Sequence, residues 1–133
     1  MYFSGLAKQS YLNLETFKKS GEGVKTPVWF AADPGDNLSS ASARLYIYTV
    51  DNTGKVKRMR NNAKVRVAPC DARGKVLGEW VDARAEAISG AESAHANAIL
   101  NKKYFPLKQI MNFFASFRHQ GRAYFVIRPA TSA

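Results

Sequence analysis

The sequence predicts a mainly β protein, a small six-stranded antiparallel barrel that carries a few short helices. Six short segments rich in aromatic and β-branched residues are separated by turn residues. Helical segments are too few to connect a parallel sheet, which favours antiparallel pairing. A length of 133 residues is typical of one domain, so we expect residues 1–133 to fold as a single unit.

The first three strands are predicted at residues 10–17, 24–32 and 44–50. The loop KKSGEG joins the first two, and the polar segment 33–42 separates the second from the third. Both connections are rich in Gly, Ser, Asp and Asn, as hairpin loops are. The chain is therefore expected to begin with an antiparallel meander.

A short amphipathic helix is predicted within residues 50–62, VDNTGKVKRMRNN. Asn52 or Thr53 is suited to the N-cap position. Val56 and Met59 fall three residues apart on one side, where they can reach the core.

The second half of the chain alternates again between strands and helices. Strands are predicted at 63–71, 79–88 and 122–129, and helices at 89–105 and 107–117. Within 79–88 one face of the strand carries small residues, which suit the crowded interior of a narrow barrel: Val81, Ala83, Ala85 and Ala87.

Composition limits the compartment and the chemistry. Cys70 is the only cysteine, so the chain can form neither an internal disulfide nor a cysteine zinc site, and a reducing cytoplasm is expected. No apolar run approaches the roughly 20 residues that cross a bilayer. His95 and His119 lack a neighbouring carboxylate or nucleophile in the sequence, and we expect both at the surface.

The basic segment predicts an anion site. Lys55 and Arg58 lie one turn apart near the start of the predicted helix, where unpaired amide groups and the helix dipole already favour a phosphate. Cations there oppose the dipole, which argues against a purely solvated surface. Lys57 and Arg60 point elsewhere around the helix, and Arg60 is expected to be a solvated cation.

Nucleic-acid binding is the alternative suggested by charge. The net charge is +10, and residues 55–66 contain six cations in twelve positions. No zinc finger or RNA-recognition motif accompanies them, so nucleic acid is not the expected partner.

The stretches TPVWFAAD and YTVDNTGKVKRMRNNAKVRVAPCDARG resemble the pyridoxamine-phosphate-oxidase-like split-barrel flavoproteins, most closely the branch of small F420-dependent enzymes. The resemblance implies a six-stranded split barrel of Greek-key topology that forms a homodimer. It also implies FMN or F420 at the subunit interface. In that branch the catalytic chemistry belongs to the cofactor, so catalytic side chains stay unassigned and no metal is expected.

The resemblance further implies where the cofactor is held. Lys55 and Arg58 would bind its phosphate, with Lys57 as a weaker contributor. Thr49 and Val50 would shape the adjacent strand end. The ring would lie along the second strand, at Thr26, Pro27, Val28 and Trp29.

The implied function is an oxidoreductase that transfers a hydride between FMN or F420 and an organic substrate. One alternative is a split barrel that stores or carries a flavin or a haem-derived ligand without turnover. The polar loop 33–42 is longer than the family's usual hairpin. The chain also prefers Lys and Asn to the Arg and Ala typical of F420-using members, which keeps FMN open as the cofactor.

Overall fold

Six antiparallel strands close into a barrel in the order β1-β2-β3-β6-β5-β4. The computed structural model describes residues 2–50, 53–103 and 122–130. The strands are β1 (Tyr11–Phe17), β2 (Gly23–Ala31), β3 (Leu45–Val50), β4 (Lys64–Cys70), β5 (Val81–Ile88) and β6 (Arg122–Pro129), and the helices are α1 (Gly54–Asn61) and α2 (Gly90–Lys103). The predicted mainly β antiparallel barrel with short helices is confirmed.

The order of the strands around the barrel departs from their order along the chain after β3. The meander β1-β2-β3 is as predicted, with Tyr11 opposite Trp29 in the first hairpin. The chain then passes through α1, and β4 pairs with β1 on the other side. β6 closes the barrel between β3 and β5. Because α1 follows β3 directly, its first turn lies beside the end of that strand.

The core lies inside the barrel and is closed partly by α1. Alternate residues of all six strands point inward, and Val56 and Met59 of α1 pack against them, as their spacing predicted. Burial of side chains of this size typically contributes about 1.5 to 3 kcal/mol each. α1 is thereby fixed to the barrel, and its polar side is left for other contacts.

The inner face of β5 is smaller than predicted. Ala83 and Ala85 are buried, but Ala87 is exposed. Pairing with β4 ends at Arg84, so β5 continues with β6 alone on one side and Ala87 lies beyond the covered part of the barrel.

The second helix, α2, packs on the outside of the barrel. Ala96 and Leu100 are fully buried, against Tyr46 and Val126 in one place and Ala31 in the other. The predicted helix at 107–117 lies outside the described residues. Within the part of the chain described, no helix combines the length and apolar character needed to cross a membrane.

Candidate functional site

A shallow cleft of about 270 Å³ lies where β1, β2 and β3 meet the start of α1. Its lining consists of Tyr11, Pro27, Val28, Trp29, Tyr48, Thr49 and Lys55. Five of these are among the residues singled out from the sequence: Pro27, Val28, Trp29, Thr49 and Lys55. The fold therefore gathers residues from two separate motifs into one site.

Aromatic side chains form the wall of this cleft. Trp29 is half-buried, while the next residue, Phe30, points into the core, because successive side chains of β2 alternate between the two faces. The Trp29 ring centroid lies 6.4 Å from that of Tyr11 and 6.4 Å from that of Tyr48. Tyr11, Trp29 and Tyr48 thus present a continuous apolar surface that suits a flat heterocycle.

Lys55 supplies a positive charge at the edge of this aromatic surface. It is the second residue of α1, and its side chain is half-buried. Burial lowers the pKa of Lys55 from its ordinary value of 10.5, and the nearby Arg58 lowers it further. A partly desolvated ammonium beside another cation gains stability when an anion binds.

Arg58 folds back over the beginning of the same helix. Its Nε donates a 2.6 Å hydrogen bond to Oγ1 of Thr16 on β1. A Cβ atom at Gly54 would come within 2.7 Å of a terminal guanidinium nitrogen, so glycine at this position leaves room for the folded-back side chain. The guanidinium therefore lies at the helix N-terminus, although Arg58 does not line the aromatic cleft itself.

Thr53 provides a buried polar atom at the start of the same helix. It occupies the predicted N-cap position, but its side chain makes no capping hydrogen bond. Its Oγ1 is buried and has no hydrogen-bond partner among the described residues. A buried hydroxyl without a partner is costly, and a phosphate oxygen at the helix start would satisfy it. Thr53, Lys55 and Arg58 together fit a phosphate group.

Three of the predicted residues are placed differently. Thr26 lies on β2 opposite Leu14 and is not part of the cleft lining. Val50 ends β3 opposite Arg122 of β6. Lys57 lines a separate cleft of about 410 Å³ together with Phe17, Lys18, Lys19, Arg58 and Asn61. Their role with a cofactor stays a prediction.

Sequence reasoning missed Tyr11 and Tyr48 as cleft residues. Tyr11 could have been found from the hairpin, because pairing outward from Phe17 and Gly23 brings Tyr11 opposite Trp29. Tyr48 lies one residue before Thr49 on the outer face of β3, so its placement in the lining depends on how β3 is positioned against β2.

A second polar cluster lies away from this cleft, at the loop after β2. His95 of α2 is exposed, as predicted, and its Nε2 contacts Oδ1 of Asp33. The other carboxylate oxygen of Asp33 lies 3.4 Å from the guanidinium of Arg44. The sequence did not indicate this carboxylate because the two residues are 62 positions apart. Among the described residues no group of three His, Cys, Asp or Glu side chains is arranged to hold a metal.

Cys70 lies on β4 and is buried. Burial, and to a lesser degree Asp71, raises its pKa, so the thiolate is disfavoured.

A larger cleft, of about 580 Å³, is a poorer candidate for an anionic ligand. It lies between the 3-10 turn Ser4–Leu6 and the β4–β5 connection. Glu79 is the only charged residue among its described lining, so it offers no cation to a phosphate. The smaller aromatic cleft with Lys55 is the better candidate on chemical grounds.

The closed barrel has the split-barrel fold of the pyridoxamine-phosphate-oxidase-like proteins, as the sequence resemblance predicted. The haem storage protein HutZ from Vibrio cholerae matches with a TM-score of 0.69 at 11% identity, over 99% of this chain and 93% of its own. An FAD-binding protein from Mesorhizobium loti matches with a TM-score of 0.61 at 19% identity, over 96% and 84%. A protein described as an F420 reductase matches with a TM-score of 0.55 at 19% identity, over 98% and 94%.

These similarities establish the fold and leave the ligand to the site itself. The three proteins are described by three different ligands: haem, FAD and F420. Sequence comparison finds neither a matching family model nor a matching curated protein.

Proposed function

We propose that this protein is an oxidoreductase that binds FMN or F420 in the aromatic cleft and transfers a hydride between the cofactor and an organic substrate. The observation that carries the proposal is the cleft itself. It joins a wall of three aromatic rings to a partly desolvated lysine at a helix N-terminus. An aromatic surface that ends in a phosphate site matches the two ends of a flavin-type cofactor.

The two parts of the site have separate tasks. Trp29 and its aromatic neighbours would pack against the ring, and the backbone of β2 at residues 26–29 would hydrogen-bond its polar edge. Lys55, Arg58 and the free Thr53 hydroxyl would hold the phosphate. The bound cofactor supplies the hydride chemistry, so the chain needs to bind, orient and shield it.

A homodimer is part of the proposal. The cleft volume of about 270 Å³ is below the roughly 300 to 1,000 Å³ of pockets that enclose a ligand. One protomer therefore covers one side of the cofactor, and we propose that a second copy covers the other. The substrate would enter between the two protomers.

The direct test is the visible spectrum of the purified protein with added FMN and with added F420. We expect one of them to remain bound through gel filtration, at the mass of a dimer, and to be reduced by a hydride donor. A protein that retains neither cofactor would contradict the proposal.

The phosphate site is tested by the double variant Lys55→Ala with Arg58→Ala. We expect cofactor affinity to fall about 100-fold, since two charge-assisted contacts of about 1.5 kcal/mol each are lost. The matched control, Arg60→Ala with Lys75→Ala, removes the same charge at two exposed positions and should bind normally. Equal affinity in the two double variants would show that the phosphate is held elsewhere. Lys57→Ala alone decides whether that residue contributes.

The second candidate is a carrier of a haem-derived ligand, favoured by the similarity to a haem storage protein. Among the described residues His95 is the only histidine, and it lies at the Asp33 cluster, away from the aromatic cleft. Titration with haem separates the two functions. A saturable Soret band, together with no retention of FMN or F420, would favour the carrier.

A further inference from the structure

Three cations face one another across β4, β5 and β6. Lys64 is in register with Arg84, and Arg84 is in register with Arg128. All three side chains are exposed. No described acid forms an ion pair with any of them. We call these three residues the cationic row.

Such a row is unfavourable for folding. Like charges directly opposite each other on neighbouring strands destabilise a sheet by roughly 0.2 to 1 kcal/mol per pair. The row spans two strand spacings, about 10 Å, which is close to the Debye length at 0.1 M salt. The three charges therefore act together on an approaching anion.

A groove lies beside two members of this row, Arg84 and Arg128. It has a volume of about 470 Å³ and is lined by Ala63, Arg84, Ala85, Glu86, Arg128, Pro129 and Ala130. Most of these side chains are small, and two of the others are arginines of the cationic row. Glu86 is the one acid of the lining, so the positive charges outnumber it.

The positive surface continues beyond β4. The Lys64 ammonium lies 5.7 Å from the ring centroid of Phe17. Phe17 also lines the neighbouring cleft, which contains Lys18, Lys19 and Lys57. Lys18 pairs with Glu22 at 3.5 Å, but both side chains are at least half exposed, so that pair is weak. One aromatic ring thus contacts a lysine of the cationic row and also lines a neighbouring basic cleft.

We propose that the cationic row and its groove form a second binding site, one that takes the phosphodiester backbone of single-stranded nucleic acid without sequence preference. A basic groove that follows the backbone, with an aromatic side chain beside it, is the usual construction of such sites. This site lies on β4, β5 and β6, whereas the aromatic cleft lies on β1, β2, β3 and α1.

The six cations of the basic segment, residues 55–66, do not form one patch in the structure. Lys55 enters the aromatic cleft, Lys57 lines the next cleft and Arg66 pairs with Glu15 and Asp82. Only Lys64 joins Arg84 and Arg128, which are distant in sequence. The cationic row can therefore be recognised from the strand register, but not from the run of charges at residues 55–66.

The test is fluorescence anisotropy with a labelled oligothymidylate of about 20 nucleotides, measured over a range of salt concentrations. The triple variant Lys64→Gln, Arg84→Gln and Arg128→Gln should weaken binding about 10- to 100-fold near 0.1 M salt. It should also reduce the slope of log affinity against log salt by roughly 2, as expected for three lost phosphate contacts.

The control triple variant replaces three exposed lysines outside the row, Lys8, Lys75 and Lys102, by glutamine and removes the same charge. It should retain most of the affinity and slope. Equal losses in the two triple variants would reduce the effect to net charge and overturn the proposal. So would equal affinity for inorganic polyphosphate at matched charge concentration, or no binding by the parent protein. Retention of FMN or F420 by the cationic-row variant tests the proposed function separately.

Discussion

Two rows of charged residues cross the outer face of the barrel side by side, and they are built differently. In one row, Lys25, Glu15, Arg66 and Asp82 lie opposite one another on β2, β1, β4 and β5, and their signs alternate. Arg66 lies 3.3 Å from Glu15 and 3.5 Å from Asp82. Two residues along each strand, the cationic row repeats one sign three times.

We call the row with alternating signs the balanced row. It shows that neighbouring strands of this barrel can pair charges of opposite sign, which is the arrangement that favours folding. An acid at one position of the cationic row would give the same alternation as in its neighbour. Since the balanced row is the more stable arrangement, the cationic row is better explained by an external anion than by folding. Lys55 and Arg58 are likewise two cations close together, at the start of α1, and a bound anion explains them better than folding does.

The largest expected effect is in the balanced row, at Glu15. Its carboxylate is buried between two cations, with 10% of the side chain exposed. Glu15→Gln keeps the shape and removes the charge, so the free energy of unfolding should fall by about 1 to 2 kcal/mol. Urea unfolding followed by circular dichroism measures this change.

The matched control is Asp82→Asn at the exposed end of the same row. Asp82 keeps 69% of its side chain exposed, so this change should cost less than about 0.5 kcal/mol. If Glu15→Gln lowered the free energy of unfolding no more than Asp82→Asn does, the alternating charges would not stabilise the balanced row.

An intermediate effect of opposite sign is expected at the centre of the cationic row. Arg84→Glu converts the row to alternating charge, and two repulsive pairs become attractive. The free energy of unfolding should rise by about 1 kcal/mol, while affinity for oligothymidylate falls. A residue retained for folding cannot give both results. A variant that is less stable than the parent protein would show that the three like charges do not destabilise the sheet.

The sequence was sufficient to predict most of this fold but only part of the site. Alternation along the strands and the spacing of Val56 and Met59 follow from local rules, and the structure agrees with them. Ala87 departs because its exposure depends on where β4 ends. Local rules predict which strands a hairpin loop joins, but they carry no information about which strands distant in sequence become neighbours.

Contacts between residues distant in sequence also explain why two surface features could not be predicted. Arg84 and Arg128 are 44 residues apart, and only the strand order places them opposite each other. The contact between Asp33 and His95 likewise depends on α2 packing against the barrel. Lys55 and Arg58 were predicted from their place at a helix start and the β2 residues from resemblance. The aromatic wall around Trp29, by contrast, follows from the strand register.

The smallest predicted effect concerns pH at the other unbalanced pair, Lys55 and Arg58. Burial first, and then Arg58, lowers the pKa of Lys55 below 10.5. A bound phosphate favours the charged ammonium and raises this pKa, so affinity for the cofactor should be constant near neutral pH and fall as pH rises through the lowered value. One coupled proton limits the fall to at most about tenfold per pH unit.

Folding should respond to the same proton with the opposite sign. Without cofactor, the unfolded chain binds the Lys55 proton more tightly than the folded protein, so the free energy of unfolding rises with pH in this window. Lys55→Arg keeps a charge that does not titrate and should abolish both trends. Cofactor titrations and urea unfolding at matched alkaline pH values measure the two. If the alkaline loss of affinity persisted in Lys55→Arg, the ammonium of Lys55 would not be the group that meets the phosphate.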